Sequence, residues 1–195
     1  MKSLTRALNL LQRLAESDQG LNLTDLSVSL GLAASTTHRL LNSLGQLGFV
    51  EADEQSGQWH IGLQAFIVGN AYLKKRDFVV IARRHMKDLM EVTGETANLA
   101  VLEGNSHVFI GQVECKEVMR MVVQLGSRGA PYASGVGKAL LSALSEQQVL
   151  EIVSSAGMTK FTSNTITSPG DLSKELALIR RQGYAIDNEE QSEGL

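Results

Sequence analysis

The chain has 195 residues, 43% hydrophobic and 20% charged, with a net charge of −3. That length supports one or two domains with a sizeable core, and the acidic balance excludes a uniformly basic coat while leaving room for a local basic face. The single cysteine, Cys115, excludes an internal disulfide framework and a zinc-finger pattern; no apolar run approaches the ~18 residues of a membrane span and the start has no signal-peptide core, so a soluble, cytoplasmic protein without membrane contact is expected.

Taken in order, Ser3 to Ser17 reads as an amphipathic helix with Leu4, Leu8, Leu11 and Leu14/Ala15 on its inward stripe. Ser17-Asp18-Gln19-Gly20 is a turn. Thr24 is placed to cap a second short helix carrying Leu26 and Leu30, which Gly31 stops. A third helix is predicted from near Ser35 to Leu47, with Thr37, Leu40, Leu41 and Leu44 inward and Gly48 as its stop. Phe49–Ala52 and Gln58–Ile61 flank a polar turn and read as a hairpin. A helix from Leu63 to Lys75 ends in cations suited to a helix C-terminus. The pattern divides the chain into 1–62, a linker helix 63–76, and 77–195.

The second part alternates helix and strand. Val79–Val92 is expected to be helical, with strands at Ala97–Leu102, Val108–Val113 and Val118–Leu125. Ser134–Leu144 follows as a helix. Ser145-Glu146-Gln147-Gln148 has the form of a capping box before a helix to Ala156. Ser168-Pro169-Gly170-Asp171 opens another helix, which Gly183 ends, before a short strand Tyr184–Asp187. The fold class is α+β, with mixed elements on one sheet in the second domain.

Three short helices and a hairpin make a winged helix-turn-helix. In that motif the third helix enters the DNA major groove. Its outward face here carries Ser35, Arg39, Asn42 and Gln46, flanked by Thr36, His38 and Ser43. Arg suits guanine, Asn and Gln suit adenine, and hydroxyls suit phosphates or base edges. No acidic residue lies between Leu32 and Val50. Any amphipathic helix has a polar face, so the helix alone leaves a solvated surface open; its combination with the Gly turn and hairpin favours DNA.

In the second domain, Ser134-Gly135-Val136-Gly137-Lys138 precedes a helix. Either the glycines let a backbone approach an anionic ligand at the helix start, or they make a tight turn with close packing. The run is not a P-loop, since Tyr132 and Ala139 stand where glycine and Ser/Thr are needed. Asp187, Glu189 and Glu190 read as a solvated loop rather than an acid–base pair or metal site. Cys115 beside Lys116 reads as a semi-buried cysteine, and His38, His60, His85 and His107 have no ligand spacing. No nucleophile–base pairing supports an enzyme, and neither a metal nor a cofactor is expected.

The runs Ser3–Leu8, Gly31–Leu41, Gly48–Val50, Trp59–Gly62, Gly94–Thr96, Ala133–Ala139 and Gly183–Glu190 together resemble the IclR family of bacterial transcription regulators. The resemblance covers essentially the whole chain. It implies a winged helix, a linker helix and a C-terminal effector domain of GAF-like type. It further implies a double-stranded DNA operator as partner, assembly as a homodimer or homotetramer, repression, and a small organic acid as effector. It places backbone N–H groups of Gly135 and Val136 at the effector, with Asp187 as a polar pocket member and Val118 and Met121 as apolar lining. Val136 stands where a smaller residue is usual. Relatives carry a basic arm before the first helix and continue beyond the position of Leu195, so a chain incomplete relative to the family, with weak effector response, is expected. The reading from another class is a small-molecule-binding or catalytic α/β protein whose winged helix makes only protein contacts.

Overall fold

The computed structural model describes residues 2–74, 76–117 and 123–194, which fall into two units, Met1–Asp77 and Phe78–Leu195.

The first unit opens with α1 (Lys2–Ala15). Its inward stripe is not the one expected. Leu10 and Leu14 are buried, with Ala7 and Leu11 half-buried beside them, whereas Leu4 and Leu8 are 67% and 51% exposed. Both rows have helical spacing, and the contacts that α1 makes with the second helix and the hairpin choose between them. The second helix, α2 (Leu23–Leu30), is capped by Asn22 rather than Thr24: the Asn22 side chain accepts the Asp25 N–H (2.9 Å). Gly31, at φ 61°, closes it in the left-handed conformation that glycine adopts without strain. The next helix, α3 (Ala34–Gln46), buries Thr37 and Leu41 completely, while Leu40 and Leu44 are half-buried.

The wing pairs β1 (Val50–Ala52) antiparallel to β2 (Trp59–Ile61), in the register Val50↔Ile61, Glu51↔His60, Ala52↔Trp59. A further bridge fastens it to the helices: Leu21 N–H donates to the Trp59 carbonyl (3.1 Å) and Trp59 N–H to the Leu21 carbonyl (2.9 Å). Leu10, Leu14, Leu26, Leu41 and Val50 form the core, with Trp59 and Ile61 packed against it. Helix α4 (Leu63–Lys74) follows and buries none of its residues in this chain; Leu63, Phe66, Ile67 and Val68 are all more than half exposed.

The second unit begins with α5 (Asp77–Thr93) and the hairpin β3 (Ala97–Glu103) and β4 (Ser106–Val113). Glu103 pairs with Ser106 around the two-residue turn Gly104-Asn105, with a register shift between Leu99 and Ala100. The expected strand Val118–Leu125 lies partly outside the described residues; 123–125 are not in a strand. The third strand is instead β5 (Arg128–Gly129), antiparallel to β4, giving the order β3-β4-β5. A 3-10 turn, Pro131–Ala133, leads into α6 (Gly135–Ser142), then α7 (Glu146–Ala156) and α8 (Pro169–Gln182). Ser145 and Gln148 make the complete capping box, and Ser168 caps α8. Tyr132, Leu141, Val149, Val153, Leu172, Leu176 and Ile179 build the core between these elements.

Tyr184–Asp187 is not a strand. A strand needs a neighbouring edge for its backbone groups, and among the described residues this segment pairs with none. It runs instead past the start of α6, held there by the Asp187 side chain.

Candidate nucleic-acid interface and ligand pocket

The turn at Gly31 and the buried Thr37 and Leu41 fix which way α3 faces. Ser35, His38, Arg39, Asn42, Ser43 and Gln46 consequently lie exposed on one side, with Thr36 half-buried at its edge. His38 Nδ1 and Asn42 Nδ2 are 3.4 Å apart, one turn from each other. The Arg39 guanidinium has no ion pair or hydrogen bond among the described residues. A fork-shaped cation, an amide and hydroxyls therefore share a surface without a carboxylate to neutralise it.

The second site gathers at the start of α6. Ser134 caps the helix: its Oγ accepts the Gly137 N–H (3.2 Å) and its carbonyl accepts the Lys138 N–H (2.9 Å). Gly135 N–H donates to Asp187 Oδ2 (3.1 Å). Val136 N–H has no partner among the described residues. Gly137 answers to packing, because a Cβ there would sit 2.3 Å from the Pro131 carbonyl oxygen. Gly137 thus answers to the packing reading, while at the helix start the Gly135 N–H is taken by Asp187 and only the Val136 N–H is left unpaired among the described residues.

Ser134, Val136 and Asp187 line a cavity of about 550 Å³ with Asn98, His107 and Arg128. That volume is within the ~300–1,000 Å³ of small-molecule sites. His107 projects from β4 and is 2% exposed, and its Nδ1 is buried without a hydrogen-bond partner. Its ring meets Phe109 edge-on, centroids 5.2 Å apart. Burial pushes the imidazole pKa below its usual 6.5, partly opposed by the Asp187 charge. Val118 and Met121 lie outside the described residues.

One member of the expected solvated loop is not solvated. Asp187 and Glu189 are exposed, but Glu190 is 4% exposed and pairs with Lys138, itself 1% exposed. Lys138 also reaches Glu175 Oε1 (3.5 Å). Thr165 Oγ1 donates to the Glu190 carbonyl (2.6 Å) and Thr162 Oγ1 to that of Glu189 (2.7 Å). These contacts fix the segment that carries Asp187, since Glu190 N–H also donates to Asp187 Oδ1 (3.3 Å). The sequence holds one sign of this: Lys138 lies three residues before Leu141, on the buried face of α6, where a cation requires a partner. No cluster of three metal-ligating side chains occurs among the described residues.

Residues 3–54 match the IclR helix-turn-helix domain, and residues 70–195 match the C-terminal domain of the bacterial transcriptional regulator IclR. The chain belongs to the IclR family. It is a DNA-binding transcription regulator. Over its full length it is 44% identical to the acetate operon repressor of Salmonella typhimurium, covering 72% of that protein. It is 43% identical to the HTH-type transcriptional repressor AllR of Escherichia coli K12, again with 100% of this chain and 72% of the relative aligned. The crystal structure of Thermotoga maritima IclR superposes with a TM-score of 0.71 at 29% identity, over 98% of this chain and 77% of that one. This IclR-family chain thus matches its relatives through both of its units.

Proposed function

We propose that α3 reads a double-stranded operator through Ser35, Thr36, His38, Arg39, Asn42 and Ser43, and that the protein represses transcription from it, as its named relatives do. The observation that carries this reading is the carboxylate-free exposed face of α3 with the uncommitted Arg39 at its centre. The effector is a small organic acid. Its carboxylate sits on the N–H groups of Gly135 and Val136 at the positive end of α6, within reach of Asp187, with Val118 and Met121 as apolar lining. Because Asp187 already accepts the Gly135 N–H, an incoming carboxylate competes with it for that donor.

The operator-bound form is a homodimer or homotetramer, acting in the cytoplasm, where the DNA is. Leu4 and Leu8 on α1, and Leu63, Phe66 and Ile67 on α4, offer apolar surface for pairing. Two-fold pairing doubles the few base pairs that one recognition helix reads. A gel shift with fragments of the adjacent control region, repeated across a salt series, tests the DNA reading. Specific retardation that weakens steeply with salt is expected. Equal binding to all fragments, or none, would favour the class in which the winged helix contacts only protein.

A further inference from the structure

The exposed face of α3 holds one contact between two of its own polar residues. Asn42 leans back over one turn to His38, its Nδ2 3.4 Å from the His38 Nδ1, as side chains four apart on a helix do. The backbone beneath the pair is fixed, because Thr37 and Leu41, the residue before each, are both wholly buried. An amide nitrogen only donates, so the His38 Nδ1 is the acceptor and the neutral ring carries its proton on Nε2. Nothing on the helix competes for this bond, since α3 has no carboxylate. Among the described residues neither the Asn42 Oδ1 nor its second N–H has a partner.

We propose that His38 is a positioning residue that sets Asn42 to read adenine and to reject guanine, so that an operator half-site carries an A·T pair opposite Asn42. This rests on the reading of operator DNA by α3. In the major groove adenine offers N7 as an acceptor and N6–H as a donor, and so takes one N–H and the carbonyl of an asparagine amide. The amide has two N–H groups, and His38 occupies the spare one. One donor and one acceptor remain unpaired, the complement of adenine. Guanine offers two acceptors, N7 and O6, and the fixed carbonyl would meet one of them acceptor against acceptor. A freely turning amide swings its NH2 group towards guanine instead; the bond to His38 opposes that turn. Arg39, the neighbour of His38, has only donors. It cannot hold the Asn42 Nδ2 in place of His38.

The test exchanges single base pairs. The operator fragment found by gel shift is rebuilt with each A·T pair of a half-site changed in turn to G·C. Affinities are measured for wild type, Asn42→Ala, His38→Ala and His38→Gln, both positions being exposed, with helix content checked by circular dichroism. At one pair the exchange should cost wild type about tenfold, the scale of one base-specific contact, and at that pair Asn42→Ala should bind both operators equally. His38→Ala should narrow the gap there to about threefold or less, chiefly by binding the G·C operator better than wild type does. His38→Gln, whose carbonyl accepts an asparagine N–H at the same helical spacing, should keep most of the gap. A purely structural loss would instead weaken both operators alike and leave their ratio unchanged. If no pair is sensitive to Asn42 in this way, or if the gap at that pair persists in His38→Ala, the positioning role is overturned while α3 stands as the reading helix. If wild type binds no fragment specifically, the reading by α3 fails and the positioning role with it.

Discussion

Arg39 and Leu41 lie two positions apart on α3 and face opposite ways. Arg39 is exposed and unpaired among the described residues; Leu41 is wholly buried among Leu10, Leu14, Leu26 and Val50. Arg39→Ala should leave the fold intact and weaken operator binding about tenfold or more, because a bidentate contact to guanine contributes ~1–3 kcal/mol of discrimination. Titrating labelled operator beside a thermal melt checks both halves, and unchanged affinity in a folded variant would remove this face from the DNA reading. Leu41→Ala should cost about 2–5 kcal/mol of stability, measured by denaturant unfolding, and a loss under 1 kcal/mol would contradict the packing. Leu40, which the sequence pattern places on the same stripe, is only half-buried and should cost less. The outward set from Ser35 to Ser43 was readable because helical period alone separates it from Thr37 and Leu41. The Lys138–Glu190 pair was not, because 52 residues separate its members and no local rule joins them.

Among the elements, those that end on local chemistry were the legible ones. The Ser145 capping box, the Ser168-Pro169 start and the Gly31 and Gly183 stops are decided within four residues, and each helix begins or ends beside them. Elements that depend on a distant edge were not legible: β5 exists because His107 and Val108 pair with Gly129 and Arg128, and 184–187 is irregular, pairing with no strand among the described residues. The inward side of α1 belongs with these, since two apolar rows compete and tertiary contacts decide. The row left over has its own consequence. Leu8→Glu combined with Phe66→Glu puts charge on exposed apolar positions of α1 and α4, where a folded monomer tolerates it and a subunit contact does not. Sedimentation should then show a shift towards monomer with unfolding unchanged. A variant that keeps the wild-type oligomer would place the pairing surface elsewhere.

At the scale of the whole molecule, the acidic excess is not evenly spread. Residues 1–77 hold seven cations and seven anions, whereas 78–195 hold 11 and 14. The reading unit is neutral and the effector unit carries the entire net charge, so the overall balance does not oppose α3 at a phosphate backbone. The effector unit should also respond to pH. Above pH 6.5 His107 is neutral whether folded or unfolded. As pH falls below 6.5 the unfolded chain takes up the proton first, because burial holds the folded pKa lower. Stability contributed by the neutral ring is therefore lost as pH falls from 6.5 through the folded pKa. Calorimetric melts at about pH 7.5 and about pH 5.5 should show a larger drop for wild type than for His107→Phe, and equal drops would contradict it. The bridge between Leu21 and Trp59 has a practical consequence. Trp59 is the only tryptophan in the chain, and its backbone is tied to the helices that carry α3. Indole emission, excited apart from the tyrosines, is thus an intrinsic beacon for the reading unit alone. An acid added to the other unit changes that light only if the message crosses between them, so one unlabelled fluorescence titration registers communication separately from occupancy.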